Sequence, residues 1–224
     1  MPFLRLRLWF GIAALLSPLA LGQSQSPPSS SSSKHSRSSL PRPKPELEPG
    51  AVANGVYRNP TLGLSCRIPA GWVLRTEEMN ARDEDGAAAS AGDGRVLLAA
   101  FSRPPDARGE DVNSSIVVAA EPQATYSGLK EAAQYFGPLT EVAKAQGFTV
   151  DEAPYEFAAG PRSVVRSDFH KDVGTRVMRQ ATLAFLADGY AISITVVAST
   201  EDEMENLVNE VSFSGARTSG HPRK

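Results

Sequence analysis

The sequence predicts an α+β fold, a central antiparallel sheet flanked by helices in a three-layer sandwich, and three observations carry that expectation. Four strand-like runs follow one another over 148–199, and the last three are joined by turns short enough to force antiparallel pairing. Apolar residues over 126–146 recur at helical spacing. After the last run, "STEDEMENLVNEV" opens with Thr200 and Glu203 in a capping box and then places Met204, Leu207, Val208 and Val211 on one helical stripe.

The chain begins differently. In residues 1–22, "MPFLRLRLWFGIAALLSPLALG", Arg5 and Arg7 precede an apolar run at 8–21, with Ala20 and Gly22 as small residues at its end. That is the layout of a secretory signal, and the run is shorter than the roughly 20 residues a spanning helix needs, which favours cleavage over anchoring. The protein is expected to be secreted or periplasmic, touching a membrane only through this segment if it stays uncleaved. Residues 23–50 are dominated by Ser and Pro and hold almost nothing apolar, so they are expected to form a disordered linker. One α+β domain is expected over 51–215, with a disordered tail at 216–224.

Within "RNPTLGLSCRIPAGW" (58–72), Leu62, Leu64, Cys66 and Ile68 alternate as a half-buried strand, Pro69 stops the ladder, and Trp72 lands just past the "PAG" turn. Residues 83–94 read as a polar loop. Runs at 95–101 and 115–120 show little alternation, as strands covered on both faces do. In the helical region, Leu129, Ala132, Ala133 and Phe136 share a face, as do Leu139, Val142 and Ala143, and Gly137-Pro138 is expected to break the region into two helices. Strands follow at 148–152, 163–171, 175–186 and 190–199. Asp188-Gly189 marks a tight hairpin, and "KDVGT" at 171–175 supplies another glycine-bearing turn.

"YRNPTLGLSCRIPAGW" resembles the start of PsbP-like domains and their bacterial envelope relatives, with Tyr57, Asn59, Gly63, Pro69, Gly71 and Trp72 at the positions that carry the likeness. The similarity in element order spans roughly 56–213. It implies a central antiparallel sheet opened by this stretch, with helices on both faces. It also implies a mostly non-enzymatic family that binds or assembles other proteins, with no shared catalytic residues to transfer.

The residues restrict the chemistry independently. Six of the 23 Lys and Arg but only two of the 25 Asp and Glu lie in the first 50 residues, so 51–224 carries a formal charge of −6. That is not the footprint of a nucleic-acid binder. Cys66 is the only cysteine, so no intrachain disulfide forms, and its place in an apolar strand marks it as a small buried hydrophobe. Of three histidines, only His170 falls inside the domain. Asp168, His170 and Asp172 alternate along one strand face, a geometrically conceivable metal set, although zinc normally draws ligands from separated segments. No nucleophile elbow, phosphate loop or dinucleotide fingerprint occurs, and no cofactor or resident metal is called for. Asn113-Ser114-Ser115 is formally a glycosylation sequon. Arg162, Arg166, Arg176 and Arg179 lie on two adjacent strands, where a basic patch competes with cross-strand pairing to Asp168, Asp172 or Asp188.

Two function classes remain. The first is an exported, non-catalytic protein-binding or assembly factor of the envelope or secreted space, with Arg166 and Arg176 as possible partner contacts. The second is a small-ligand or metal binder, or a hydrolase, using a pocket between sheet and helices that involves Trp72, Asp168 and His170.

Overall fold

In the computed structural model, which describes residues 47–84, 94–104 and 112–214, short strands come first: β1 (Ala51–Ala53), β2 (Val56–Asn59), β3 (Leu64–Arg67) and β4 (Val73–Leu74). Helix α1 (Thr76–Glu84), β5 (Arg95–Phe101), β6 (Ser115–Pro122) and α2 (Ala132–Ala145) follow. Then come the long strands β7 (Thr149–Ala159), β8 (Arg162–Val173), β9 (Arg176–Ala187) and β10 (Tyr190–Ala198), and finally α3 (Glu201–Asn209) and β11 (Val211–Phe213). The segments read as export signal, most of the linker, 85–93 of the polar loop and the tail lie outside the described residues. Composition places the end of the linker at 50, yet Leu47 is buried in the core, so ordered packing begins before that boundary.

The long strands form the predicted meander. β5, β6, β10, β9, β8 and β7 lie side by side in an antiparallel seven-stranded sheet that β4 completes at the β5 edge. Asp188 and Gly189 both have positive φ, 49° and 79°, the backbone a two-residue type I′ turn requires, and this sets the β9–β10 register from Tyr190 opposite Ala187 onward. On one face of the sheet, Tyr135 and Phe136 of α2 pack against Ala184 and Ala191. On the other, Leu183, Ile192, Ile194 and Val196 meet Met204, Leu207 and Val208 of α3. Helices therefore cover both faces, as the α+β expectation requires.

Four expectations need correction. The opening stretch does not join the central sheet: β3 pairs with β2 and β11 in a second, four-stranded antiparallel sheet ordered β1-β2-β3-β11. That sheet contributes Tyr57, Leu64, Cys66 and Phe213 to the same core as α3. Val211 leaves the α3 stripe to begin β11, because the chain needs a strand there to complete the small sheet. Gly137-Pro138 does not break α2, which runs unbroken for 14 residues. A Cβ on the residue before proline would crowd the ring in helical conformation, and Gly137 has none, so the helix continues at the cost of one hydrogen bond. Finally, α1 occupies the start of the expected loop and the segment before it.

That helix has no apolar stripe; its function is to finish an edge. Thr76 Oγ1 accepts from the Ala99 N–H at 2.9 Å. Four residues on, Asn80 Oδ1 accepts from the Val96 N–H at 3.0 Å and its Nδ2 donates to Val96 O at 3.0 Å. Side chains of α1 thus take over from β4 as hydrogen-bonding partners of β5.

Candidate functional site

Side chains at alternate positions of β8 point to the α3 side of the sheet, which brings Val164, Arg166, Asp168 and His170 into one row. Arg166 is 3% exposed. Its Nε donates to Asp168 Oδ1 at 2.9 Å, its Nη1 donates to Glu205 Oε2 at 3.1 Å, and its Nη2 donates to Glu205 Oε1. The guanidinium carbon lies 5.1 Å from the Phe157 ring centre, and Tyr155 Oη donates to the second oxygen of Asp168 at 3.1 Å. One cation thus holds a carboxylate from its own strand and one from α3, over an aromatic floor supplied by β7.

The electrostatics follow. Burial disfavours the charged guanidinium, but the bonds to Glu205 and Asp168 outweigh it and raise the Arg166 pKa. Glu205 is lowered, chiefly by its hydrogen bonds to Arg166. Tyr155 is pushed up to about 12 by burial and then by the charge of Asp168. A permanently charged arginine, an ionised glutamate and a protonated tyrosine are suited to fastening α3 onto β8.

His170 shares the strand face of Asp168 but not its partners, because its Nδ1 pairs with Asp151 Oδ1 on β7. Asp172 lies further out and exposed. Among the described residues, no group of three or more His, Cys, Asp or Glu side chains converges as a metal set would. Arg176 sits at the exposed start of β9, opposite Val173. It is seven ladder positions from the Arg166 pair, about 23 Å along the strand. Arg162 is separate again: its guanidinium stacks 4.1 Å from the Phe185 ring centre and donates to Leu62 O and Leu186 O, each at 3.3 Å. The four arginines do not form one patch.

Trp72 is half-buried against the main core at the β4 end of the large sheet. Five inter-strand spacings separate β4 from β8, about 24 Å, so Trp72 cannot share a pocket with Asp168 and His170. Cys66 is buried, and burial followed by the charge of Glu210 raises its thiol to about 12. The amide of Asn113 is committed within its loop: Oδ1 accepts from Ser102 Oγ at 3.0 Å and from the Arg103 N–H at 3.2 Å, and Nδ2 donates to Arg103 O at 3.1 Å.

Sequence reasoning missed Tyr155, Glu205 and Asp151. Tyr155 was discoverable in principle as the aromatic neighbour of Phe157 at period two, but Pro154 masked the strand. A second polar group lies on the opposite face, where Tyr126 Oη donates to Glu121 Oε2 and burial raises the Glu121 pKa. Tyr135, packed edge-to-face on Tyr126 at 5.2 Å, is raised by burial and then by Glu121. A concavity of about 420 Å³ lies elsewhere, between the strap 48–51 and Ala53, Arg58 and Pro60, away from either polar cluster.

No protein-family model matches the chain, and no curated protein does. Among solved structures, the chain is similar to LpqN of Mycobacterium tuberculosis, described as involved in cell envelope biogenesis: 12% identity, TM-score 0.34, covering 67% of this chain and 83% of that one. It is also similar to PA94 of Pseudomonas aeruginosa, a protein of unknown function described as a putative regulator, at 14% identity and TM-score 0.34, with 53% and 76% of the two chains covered. A Bacteroides thetaiotaomicron structure matches at 10% identity and TM-score 0.33, covering 67% of this chain and 45% of that one.

Proposed function

We propose that the chain is an exported, non-catalytic domain that binds or assembles other proteins of the cell envelope or secreted space. One observation carries the reading: the candidate residues on the α3 face of the large sheet, and the lone cysteine, are committed to the fold itself. Arg166, Asp168, Tyr155 and Glu205 satisfy one another, His170 is paired with Asp151, and the Cys66 thiol stays protonated. The basic start and short apolar run of 1–22 support export, and the Ser/Pro composition of 23–46 supports a spacer giving the domain reach. The likeness of the Tyr57–Trp72 stretch to PsbP-like domains points to the same class.

The test has two arms. Fractionation of cells expressing the full chain should place it outside the cytoplasm, and replacing Arg5 and Arg7 with glutamate should retain it inside. Cross-linking in envelope extract should trap a discrete partner, and that adduct should survive in His170→Ala. A melting shift with a metal or metabolite that disappears in His170→Ala would instead establish the small-ligand class.

A further inference from the structure

We propose that 155–159, the regular part of the free β7 edge, takes an extended cationic segment of another protein as an added strand, which rests on the protein-binding reading above and gives it a surface. The seven-stranded sheet has two edges, and α1 closes one by bonding side chains to β5. The other is β7, eleven residues long and mostly exposed, with no strand beyond it among the described residues. Such an edge offers a row of backbone N–H and C=O groups, and adding a strand to it is a general mode of peptide recognition.

The backbone fixes where that strand pairs. The β7–β8 hairpin closes through the two-residue turn Gly160-Pro161, with Gly160 at φ 64°. Its flanking residues, Ala159 and Arg162, form a hydrogen-bonded pair, so by alternation the N–H and C=O groups of Tyr155 and Phe157 serve β8 while those of Glu156 and Ala158 face outward. Further back, the register slips on either side of Glu152, and Pro154 has no N–H to offer, both of which blunt an edge. The stretch 155–159 has neither.

Charge and the chemistry of the two faces identify the occupant. β7 contains Asp151, Glu152 and Glu156 and no cation. Asp151 is paired with His170, whereas Glu152 and Glu156 are exposed and pair with no cation of the described residues. These charges oppose the β7 of a second copy, which would bring acid toward acid, and favour lysine or arginine on an incoming strand. Glu156 stands opposite Val165 and shares the α2 face, so the cation belongs on that side. Tyr155 and Phe157, both half-buried, stand opposite Arg166 and Val164 on the α3 face, where a β-branched side chain packs against their rings. The segment called for is extended and alternates cationic with β-branched residues. Paired antiparallel, its cationic residues oppose Glu156 and Ala158 and direct their own N–H groups at β7, while the β-branched residue opposite Phe157 directs its N–H away.

Amide hydrogen exchange on the full chain, titrated with a short capped peptide alternating lysine and valine, tests this. At saturation the Glu156 and Ala158 amides should exchange about tenfold slower, while the Phe157 amide, already bonded to β8, should not change. N-methylation of the peptide's lysine amides should abolish the slowing, and N-methylation of its valine amides should preserve it. Glu152→Lys/Glu156→Lys should weaken the lysine peptide about tenfold and admit its glutamate–valine counterpart. The buried Ile194 amide reports whether each chain is folded, and if the double variant is not, Glu156→Gln decides with a smaller loss. Absence of slowing overturns the proposal. So does slowing indifferent to which amides are methylated, the mark of charge attraction alone, or slowing without peptide that rises with protein concentration, the mark of a second copy. A partner cross-linked equally by the natural chain and the double variant keeps the protein-binding function and overturns the edge, whereas peptide pairing with no partner ever trapped keeps the edge and removes that function.

Discussion

Asn59 has no exposed surface, and its amide spans three segments. Nδ2 donates to Glu48 O at 2.8 Å and Oδ1 accepts from the Leu62 N–H at 3.0 Å, while neighbouring Tyr57 Oη donates to Pro49 O at 2.8 Å. The Tyr-x-Asn pair noticed in the sequence therefore pins the strap 47–50 to the small sheet. Gly50 completes the fit, because with φ 77° a Cβ there would meet Arg58 O at 2.6 Å. Asn59→Ala leaves a buried donor and a buried acceptor without partners and should cost about 2–4 kcal/mol in urea unfolding. Cys66 was legible as a buried hydrophobe from alternation alone. With its pKa at about 12, it should resist alkylation at pH 8 in the native chain and react at once in denaturant. Fast native labelling would contradict the burial.

Elements differ in how far they announced themselves. β10 and α3 were readable from local pattern: in β10 the large Ile192, Ile194 and Val196 alternate toward the α3 side while small Ala191 and Ser193 are buried on the other face, and α3 shows a stripe begun by Thr200 Oγ1 accepting from the Glu203 N–H at 3.1 Å. The β1–β2 hairpin turns on Asn54-Gly55, both with positive φ, a dipeptide that marks a two-residue hairpin in the sequence itself. Helix α1 carried no apolar signal, because its Thr76 and Asn80 act on another element's backbone. Asn80→Ala should cost about 1–3 kcal/mol and expose the β5 edge, raising self-association in sedimentation; a monomer of unchanged stability would refute the edge role. In α2, Pro138 lies well inside the helix, where it removes a hydrogen bond. Pro138→Ala should stabilise the protein by about 1–3 kcal/mol, seen as a higher Tm, since the regained helix bond outweighs the looser unfolded chain.

At the scale of the molecule, one core joins both sheets and α3, and the Arg166 cluster clips α3 to the large sheet from the side. The clip has a pH signature. Because the folded Glu205 carboxyl titrates below its ordinary 4.5, its contribution is complete above that value and is lost as pH falls through the lower folded one. Glu203, whose carboxylate accepts from Ser114 and Ser199, is lowered too and adds to the same acid-side loss. Glu205→Gln should therefore be less stable than the natural chain at pH 6, with the gap closing below about pH 4 in urea melts. A gap independent of pH would remove the charged clip.

Periodicity and turn chemistry by themselves determined the α+β class, the antiparallel meander and the closing helix, since each is dictated by residues close together in sequence. Only the tertiary structure decided that the opening strand joins a second sheet with β11, that α1 forms to finish an edge, and that Asp168 and His170 take different partners. Those outcomes depend on hydrogen-bonding groups that meet across long stretches of chain, and a single strand's pattern records which face is buried without recording which backbone lies beside it.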